Sequence, residues 1–296
     1  MNWRVRHVTA YAYAEPVELA THLLHLLPRP LPRQDVLRAE IASDPLPARR
    51  EDGADHFGNR VTWLTLDRPH ARFAVTAEYE VAVRAPPPFP DAAAGATPPW
   101  EAVADLARRD PEAAEFLFPS PYLPPVAAAR DHVAGSFPPG RPVGAALLEV
   151  TRRFREGFAF RPGATTVSTP VAEVLRRRAG VCQDYAHVLI TALRMLGVPA
   201  RYVSGTIRTH PPPGGVRRLG VDQSHAWVAA WAGPDAGWLD LDPTNAVLVA
   251  EEHVTLGWGR DFGDVSPLRG IILGGGRHTV SVAVDMEPAG DAAAPA

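Results

Sequence analysis

The strongest nucleophile this chain can offer is Cys182, the single cysteine among 296 residues. It stands near the head of the stretch Gly-Val-Cys-Gln-Asp-Tyr-Ala-His-Val-Leu-Ile-Thr-Ala-Leu-Arg-Met-Leu-Gly, residues 180–197. Apolar or small residues at Cys182, Tyr185, Ala186, Leu189, Leu193 and Leu196 keep helical spacing along one face. Gly180 allows a tight approach to that helix, and Gly197 followed by Pro199 stops it. A thiol in the first turn of a helix meets unpaired backbone N–H groups and the positive end of the dipole, both of which favour the thiolate. A lone cysteine is equally at home in a plain core, where free thiols are common. The partners decide between these readings.

Two partners follow. His225 opens the strand-like run Ser-His-Ala-Trp-Val, and Asp242 closes a second run, Gly-Trp-Leu-Asp-Leu-Asp, because Pro243 cannot continue a ladder. The seventeen residues from His225 to Asp242 suit two adjacent antiparallel strands with a turn at 232–236. A Cys–His–Asp arrangement needs this layout: the imidazole takes or shares the thiol proton, and the carboxylate fixes its tautomer and steadies the imidazolium. Asp240 lies on the same strand face and is a rival orienter. Gln183 reads as a side chain at the site entrance or as a capping amide. Asp184 and His187 point away from Cys182 at 100° per residue and read as structural hydrogen bonders. Trp227 and Trp238 read as core or site-wall aromatics, and Trp238, on the face of Asp242, would shield the site from water.

Composition narrows the chemistry. The chain has no lysine, so all 30 basic residues are arginine. That excludes a P-loop, a Schiff-base lysine and a Ser–Lys dyad. One cysteine allows neither an intramolecular disulfide nor a cysteine-rich zinc site. His22 and His25 lack the spacing of a helical zinc motif and read as solvent or interface residues. No Asp-x-Asp-x-Asp-Gly loop suggests calcium, so no metal or cofactor is expected. A net charge of −3 offers no basic field for nucleic acid or anionic membrane. With no signal-peptide pattern and no apolar run of membrane-spanning length, a cytoplasmic protein is expected. The oligomeric state has no signature.

Residues 3–13, 36–42, 61–66 and 71–84 alternate as strands, with a helix signal only at 19–27 and a turn at Asp-His-Phe-Gly-Asn, 55–59. Residues 1–85 therefore read as a β-sandwich-like domain and the Pro/Ala/Gly-rich 86–99 as a linker. Helices are expected over 100–118, 126–137, 143–154 and 169–178. The cysteine helix follows, then strands at 200–209, 224–232, 237–241, 254–259 and 278–285. An exposed loop is expected at 210–220 and a flexible tail at 288–296. Helices followed by an antiparallel sheet make residues 100–287 an α+β unit.

Gly-Val-Cys-Gln-Asp-Tyr-Ala-His, His-Ala-Trp-Val and Gly-Trp-x-x-x-Asp-Pro-Thr-Asn, in this order, resemble the three core motifs of the transglutaminase-like superfamily. The chain is most similar to its bacterial members regarded as candidate cysteine proteases. Residues 10–84, the run 161–170 and Gly-Trp-Gly-Arg-Asp-Phe-Gly-Asp-Val, 257–265, also match that group. The resemblance implies a papain-like core with Cys182 as nucleophile, His225 as base and Asp242 directly before Pro-Thr as orienter. It implies attack on an amide carbonyl of a peptide or protein and a thioester that water or an amine resolves. Arg260 and Asp261, in the late motif, read as an ion pair rather than as substrate contacts. Hydrolysis of a peptide or isopeptide bond is the expected outcome; a glutamine transamidase or deamidase, and an idle peptide-binding module, stand as alternatives.

Overall fold

The computed structural model describes residues 1–209 and 223–289. Alternating apolar and polar residues first build β1 (Asn2–Leu24), β2 (Gln34–Asp44), β3 (Arg49–Ala54), β4 (Arg60–Leu66) and β5 (His70–Val83). In β1 the side chains of Trp3, Val5, His7 and Thr9 are buried while Arg4 and Arg6 face water, the period-two pattern of a half-buried strand. The first half of β1 pairs with β5, and its second half, from Ala20, pairs with β4. The register shifts between Ala12 and Val17. Pro16 sits in that break, where its missing N–H costs no ladder bond. The sheet thereby folds over on itself, and its apolar faces meet at Leu24, Leu64, Leu66, Phe73 and Val75.

Short helices follow: α1 (Asp91–Gly95), α2 (Trp100–Ala107), α3 (Pro111–Glu115), α4 (Ala127–Val133) and α5 (Val143–Arg153). Next come β6 (Ala159–Phe160), α6 (Val171–Arg177), β7 (Ala179–Gly180) and α7 (Cys182–Met195). The chain then forms β8 (Ala200–Ile207), β9 (Gln223–Trp231), β10 (Trp238–Asp242), β11 (Val247–Leu248) and β12 (His253–Gly259), an antiparallel sheet in the order β11-β10-β9-β8-β12. Residues 184–194 of α7 are all buried. A helix apolar on nearly every side must be covered on every side. Here β8 and β9 cover one flank, and α4 and α6 another.

Three features depart from the sequence expectation. Residues 19–24 continue β1 instead of forming a helix, so His22 and His25 are buried, with His22 stacked 4.4 Å from Phe73 and His25 on Asp55. The segment 86–99 contains α1, and the Thr97 hydroxyl accepts the Gly144 N–H of α5 at 2.8 Å. Finally, β13 (Leu268–Gly274) and β14 (His278–Pro288) pair with the two halves of β1, not with the second sheet. Period-two alternation marks a strand but says nothing about which sheet receives it. The expected loop at 210–220 and the residues after 289 lie outside the described residues.

Burial holds His7 and His22 neutral, each pulled down to about 4, with His70 beside His22 adding to the effect. Their folded pKa lies below the unfolded value near 6.5, so the unfolded chain binds more protons between those limits. Stability is complete above pH 6.5 and falls as the pH drops toward 4. His22→Phe, which keeps the stack on Phe73, is expected to restore about 2 kcal/mol at pH 5 and little at pH 8. Urea midpoints at the two pH values measure this; equal gains at both would contradict it.

Candidate active site

The geometry around Cys182 begins one residue before the helix. Val181 is the N-cap in extended backbone and has no side-chain oxygen to cap with. Asp184, in the third helical position, reaches back instead: its Oδ2 accepts the Val181 N–H and the Thr165 hydroxyl, both at 2.7 Å. This is one half of a capping box. Burial pushes the Asp184 carboxyl above its usual range, against those two hydrogen bonds. Gly180 is required for the approach, since a Cβ there would lie 2.5 Å from Asp184 Oδ2. Gly180→Ala should displace the carboxylate, cost about 1–3 kcal/mol and slow alkylation of Cys182. Denaturant unfolding and iodoacetamide kinetics test both effects; an unchanged pair of values would show that the cap does not set the thiol.

Cys182 is thus the first residue of α7, partly exposed, with its N–H in the set that has no intrahelical acceptor. β8, β9 and β10 lie side by side, with Gly205 opposite His225 and Leu241 opposite Val228. This register lets the acids of β10 reach diagonally to β9. Asp242 Oδ2 lies 2.8 Å from His225 Nε2, while Asp240 Oδ1 accepts the Trp227 indole N–H at 3.1 Å. The rival orienter is therefore occupied by a tryptophan. Nε2 of His225 lies on Asp242, and Cys182 stands close enough to the ring to favour the imidazolium.

Asp242 has no exposed surface and accepts five hydrogen bonds. Oδ1 takes the N–H groups of Thr244 (3.0 Å) and Asn245 (3.1 Å), which fold back once Pro243 has ended the strand. Oδ2 takes His225, the Asn245 amide at 2.7 Å and His253 Nε2 at 3.2 Å. Burial works against the Asp242 charge, but these donors hold its carboxyl well below the usual range. Burial likewise lowers His225, yet the Asp242 hydrogen bond and the neighbouring Cys182 win and raise it to about 10. Asp242 therefore contributes stability that is lost only as acid protonates it. His225 contributes stability present below pH 6.5 and lost as the pH rises through about 10.

His225, Asp242 and His253 place three potential metal-ligating atoms within 4.8 Å of one another. Both imidazoles, however, touch the same carboxylate oxygen in hydrogen-bond contact, which leaves no room between them for an ion. His253 and Asn245 were not singled out by sequence reasoning. Asn245 had a signal, as the last residue of the Asp-Pro-Thr-Asn run; His253 had none.

The remaining candidates serve the frame. Gln183 donates to the Val167 carbonyl at 3.0 Å and ties the 161–170 segment to α7 beside Cys182. Trp227 is fully buried. Trp238, four residues and about 13 Å along β10 from Asp242, packs edge-on to Phe116 and under the Arg201 guanidinium at 4.2 Å. Arg201 in turn lies 3.7 Å from the Trp258 ring centroid, and Arg29 of the N-terminal region 3.5 Å from it. Trp238 therefore belongs to a cation–π stack joining the two regions. Arg260 pairs with Asp264 through two contacts of 2.9 Å, not with Asp261. Asp261 accepts the Gly263 N–H at 2.8 Å and the Tyr122 N–H at 3.1 Å. His187, pulled down to about 4 by burial, accepts the Phe262 N–H at 3.2 Å.

A central helix headed by a cysteine, packed on an antiparallel sheet that presents histidine and aspartate, defines a papain-like transglutaminase core behind a β-rich N-terminal region. Known proteins agree. Residues 3–82 match the bacterial transglutaminase-like N-terminal region, and residues 131–243 match the transglutaminase-like superfamily. An uncharacterized protein of Mycobacterium tuberculosis is 39% identical over 291 residues, covering 97% of this chain and 93% of that protein. The chain belongs to the transglutaminase-like superfamily. A solved protein from Cytophaga hutchinsonii, described as a candidate cysteine protease, shares the fold with a TM-score of 0.75 at 21% identity, covering 97% of this chain and 90% of that one. A protein-glutamine gamma-glutamyltransferase of Pseudomonas aeruginosa is 36% identical over 115 residues, 38% of this chain and 17% of that enzyme. Among the described residues no helix is long and apolar enough to cross a membrane.

Proposed function

We propose that this protein is a cysteine-dependent amide hydrolase acting on a peptide or protein, with Cys182 as nucleophile, His225 as proton carrier and Asp242 as orienter. One observation carries the reading: a buried His225 hydrogen-bonded to Asp242 and set beside the thiol at the start of a helix. His225, steadied by Asp242, takes the thiol proton as sulfur attacks. Attack on the carbonyl carbon forms the C–S bond, and the oxyanion meets the Cys182 N–H at the helix start. Collapse expels the amine, which takes its proton from His225. Water, deprotonated by His225, then attacks the thioester and releases the acid and the thiolate.

Transamidation uses the same thioester with an amine as acceptor, and the gamma-glutamyltransferase relative keeps that outcome in view. Because the chain has no lysine, it offers no side-chain amine of its own as acceptor. A nucleophile that must stay reduced suits a reducing compartment, which supports a cytoplasmic location. Supplying a peptide-amide library with and without a primary amine tests the assignment. The expected products are carboxylic acids in both cases; amine-dependent release, with none in water alone, would make the protein a transferase instead.

A further inference from the structure

Asp242 depends on a histidine that neither the spacing of the motifs nor the proposed mechanism uses. His253 is buried at the start of β12, and its Nδ1 accepts the Ala250 N–H at 3.3 Å. That contact fixes the tautomer: the proton sits on Nε2, which donates to Asp242 Oδ2 at 3.2 Å. The Trp227 ring stands against His253, 5.5 Å away at 83°. The imidazole therefore has one place to sit and one proton to give.

The backbone on both sides of His253 is held by the N-terminal region. β12 is an edge of its sheet, pairing only with β8 among the described strands, and an unpaired edge needs partners for its polar groups. Trp3 donates its indole N–H to the Glu251 carbonyl at 2.7 Å, two residues before His253. Two residues after it, Gln34 donates to the Thr255 carbonyl (2.7 Å) and accepts the Thr255 N–H (2.9 Å). Asn59 repeats that double contact at Trp258, at 2.7 and 2.9 Å. Its approach needs Gly257, where a Cβ would lie 2.6 Å from Asn59 Oδ1. Two side-chain amides thus replace a neighbouring strand, and two sequence motifs about 200 residues apart meet through them.

We infer that His253 is a positioning residue for Asp242, and that the N-terminal region acts on the site by holding His253 through Trp3 and Gln34. The inference rests on the proposed Cys182–His225–Asp242 chemistry. The N-terminal region is then a working part of the active site, not a separate recognition module. Without the His253 donor, the buried carboxylate turns from His225 toward its remaining partners and steadies the imidazolium less. The titratable groups facing His225 are Cys182 from α7, Asp242 from β10 and His253 from β12, with Tyr202 of β8 close to Cys182.

The test is the pH dependence of Cys182 alkylation by iodoacetamide in the full chain, followed by intact mass. The wild type is expected to react rapidly at pH 7, with a further step where His225 gives up its proton. His253→Phe is expected to move that step down by about one unit. His253→Gln, whose Nε2 can occupy the same donor position, should stay near the wild type. Gln34→Ala should shift the step in the same direction by less, and it carries the test if His253→Phe does not fold. A wild-type step left in place in both His253→Phe and Gln34→Ala, or moved upward, would overturn the inference alone. A wild type that alkylates like an ordinary thiol with no such step would remove the parent chemistry and this inference together.

Discussion

Cys182→Ala and His225→Ala each reduce kcat/KM on the cognate amide by at least about a thousandfold, with the fold intact. The two losses are expected to be nearly equal and the double substitution scarcely worse, because nucleophile and proton carrier act as one unit. Cys182 is partly exposed at a helix start, so trimming its sulfur removes no large packed volume. His225 is buried between α7 and β10, and its removal leaves Asp242 with four donors. Stability should therefore fall more for His225→Ala than for Cys182→Ala. Steady-state kinetics and thermal melts measure the two quantities. Cys182→Ala retaining more than a tenth of wild-type activity would place the chemistry elsewhere.

Asp242→Asn has the second largest expected effect and a different signature. The carboxylate accepts from His225, His253 and Asn245 on one oxygen and from two backbone N–H groups on the other. An amide keeps a single accepting oxygen and brings two hydrogens toward donors that already point inward. The buried network then holds unpaired donors, at a cost of about 3–5 kcal/mol. With the negative charge gone, His225 loses the partner that holds its proton, and its pKa falls from about 10 back toward or below the usual 6.5. The rate is expected to drop by about 10³–10⁴. Alkylation of Cys182, fast at neutral pH in the wild type, should now rise with pH as for an ordinary thiol. Asp240→Asn is the control: it alters a Trp227 contact and should spare the pH profile.

How much of this was legible in the chain varies with the range of the interaction. Cys182, His225 and Asp242 could be picked out because each sits at the end of a short element with its own local signal: a helix start, a strand start and a proline stop. Choosing Asp242 over Asp240 needed the family pattern, since both acids share one face; the diagonal reach across β9 and β10 is what separates them. Gln183, read as a side chain at the site entrance or a capping amide, bonds the Val167 carbonyl sixteen residues back, and Asp184, read as a structural hydrogen bonder, bonds Val181 and Thr165. His253 was invisible, being a lone histidine whose partner stands on a different strand. Arg260 carried an ion-pair signal, but its partner is Asp264 rather than its neighbour Asp261. The strand at 278–285 was legible as a strand and not as part of the first sheet, since a closing strand records no address. Likewise, residues 19–27 showed helical spacing that long-range pairing with β4 and β13 overrode.

The proposed chemistry stands on a covalent thioester at Cys182. Acid-quenched intact mass of the full chain, after incubation with a peptide pool from cell extract, tests it most directly. The expected result is a mass increase located to Cys182, removed by hydroxylamine and absent from Cys182→Ala; the attached acyl group names the substrate. No hydroxylamine-sensitive adduct on the wild type, under conditions where its thiol reacts freely with iodoacetamide, would contradict it.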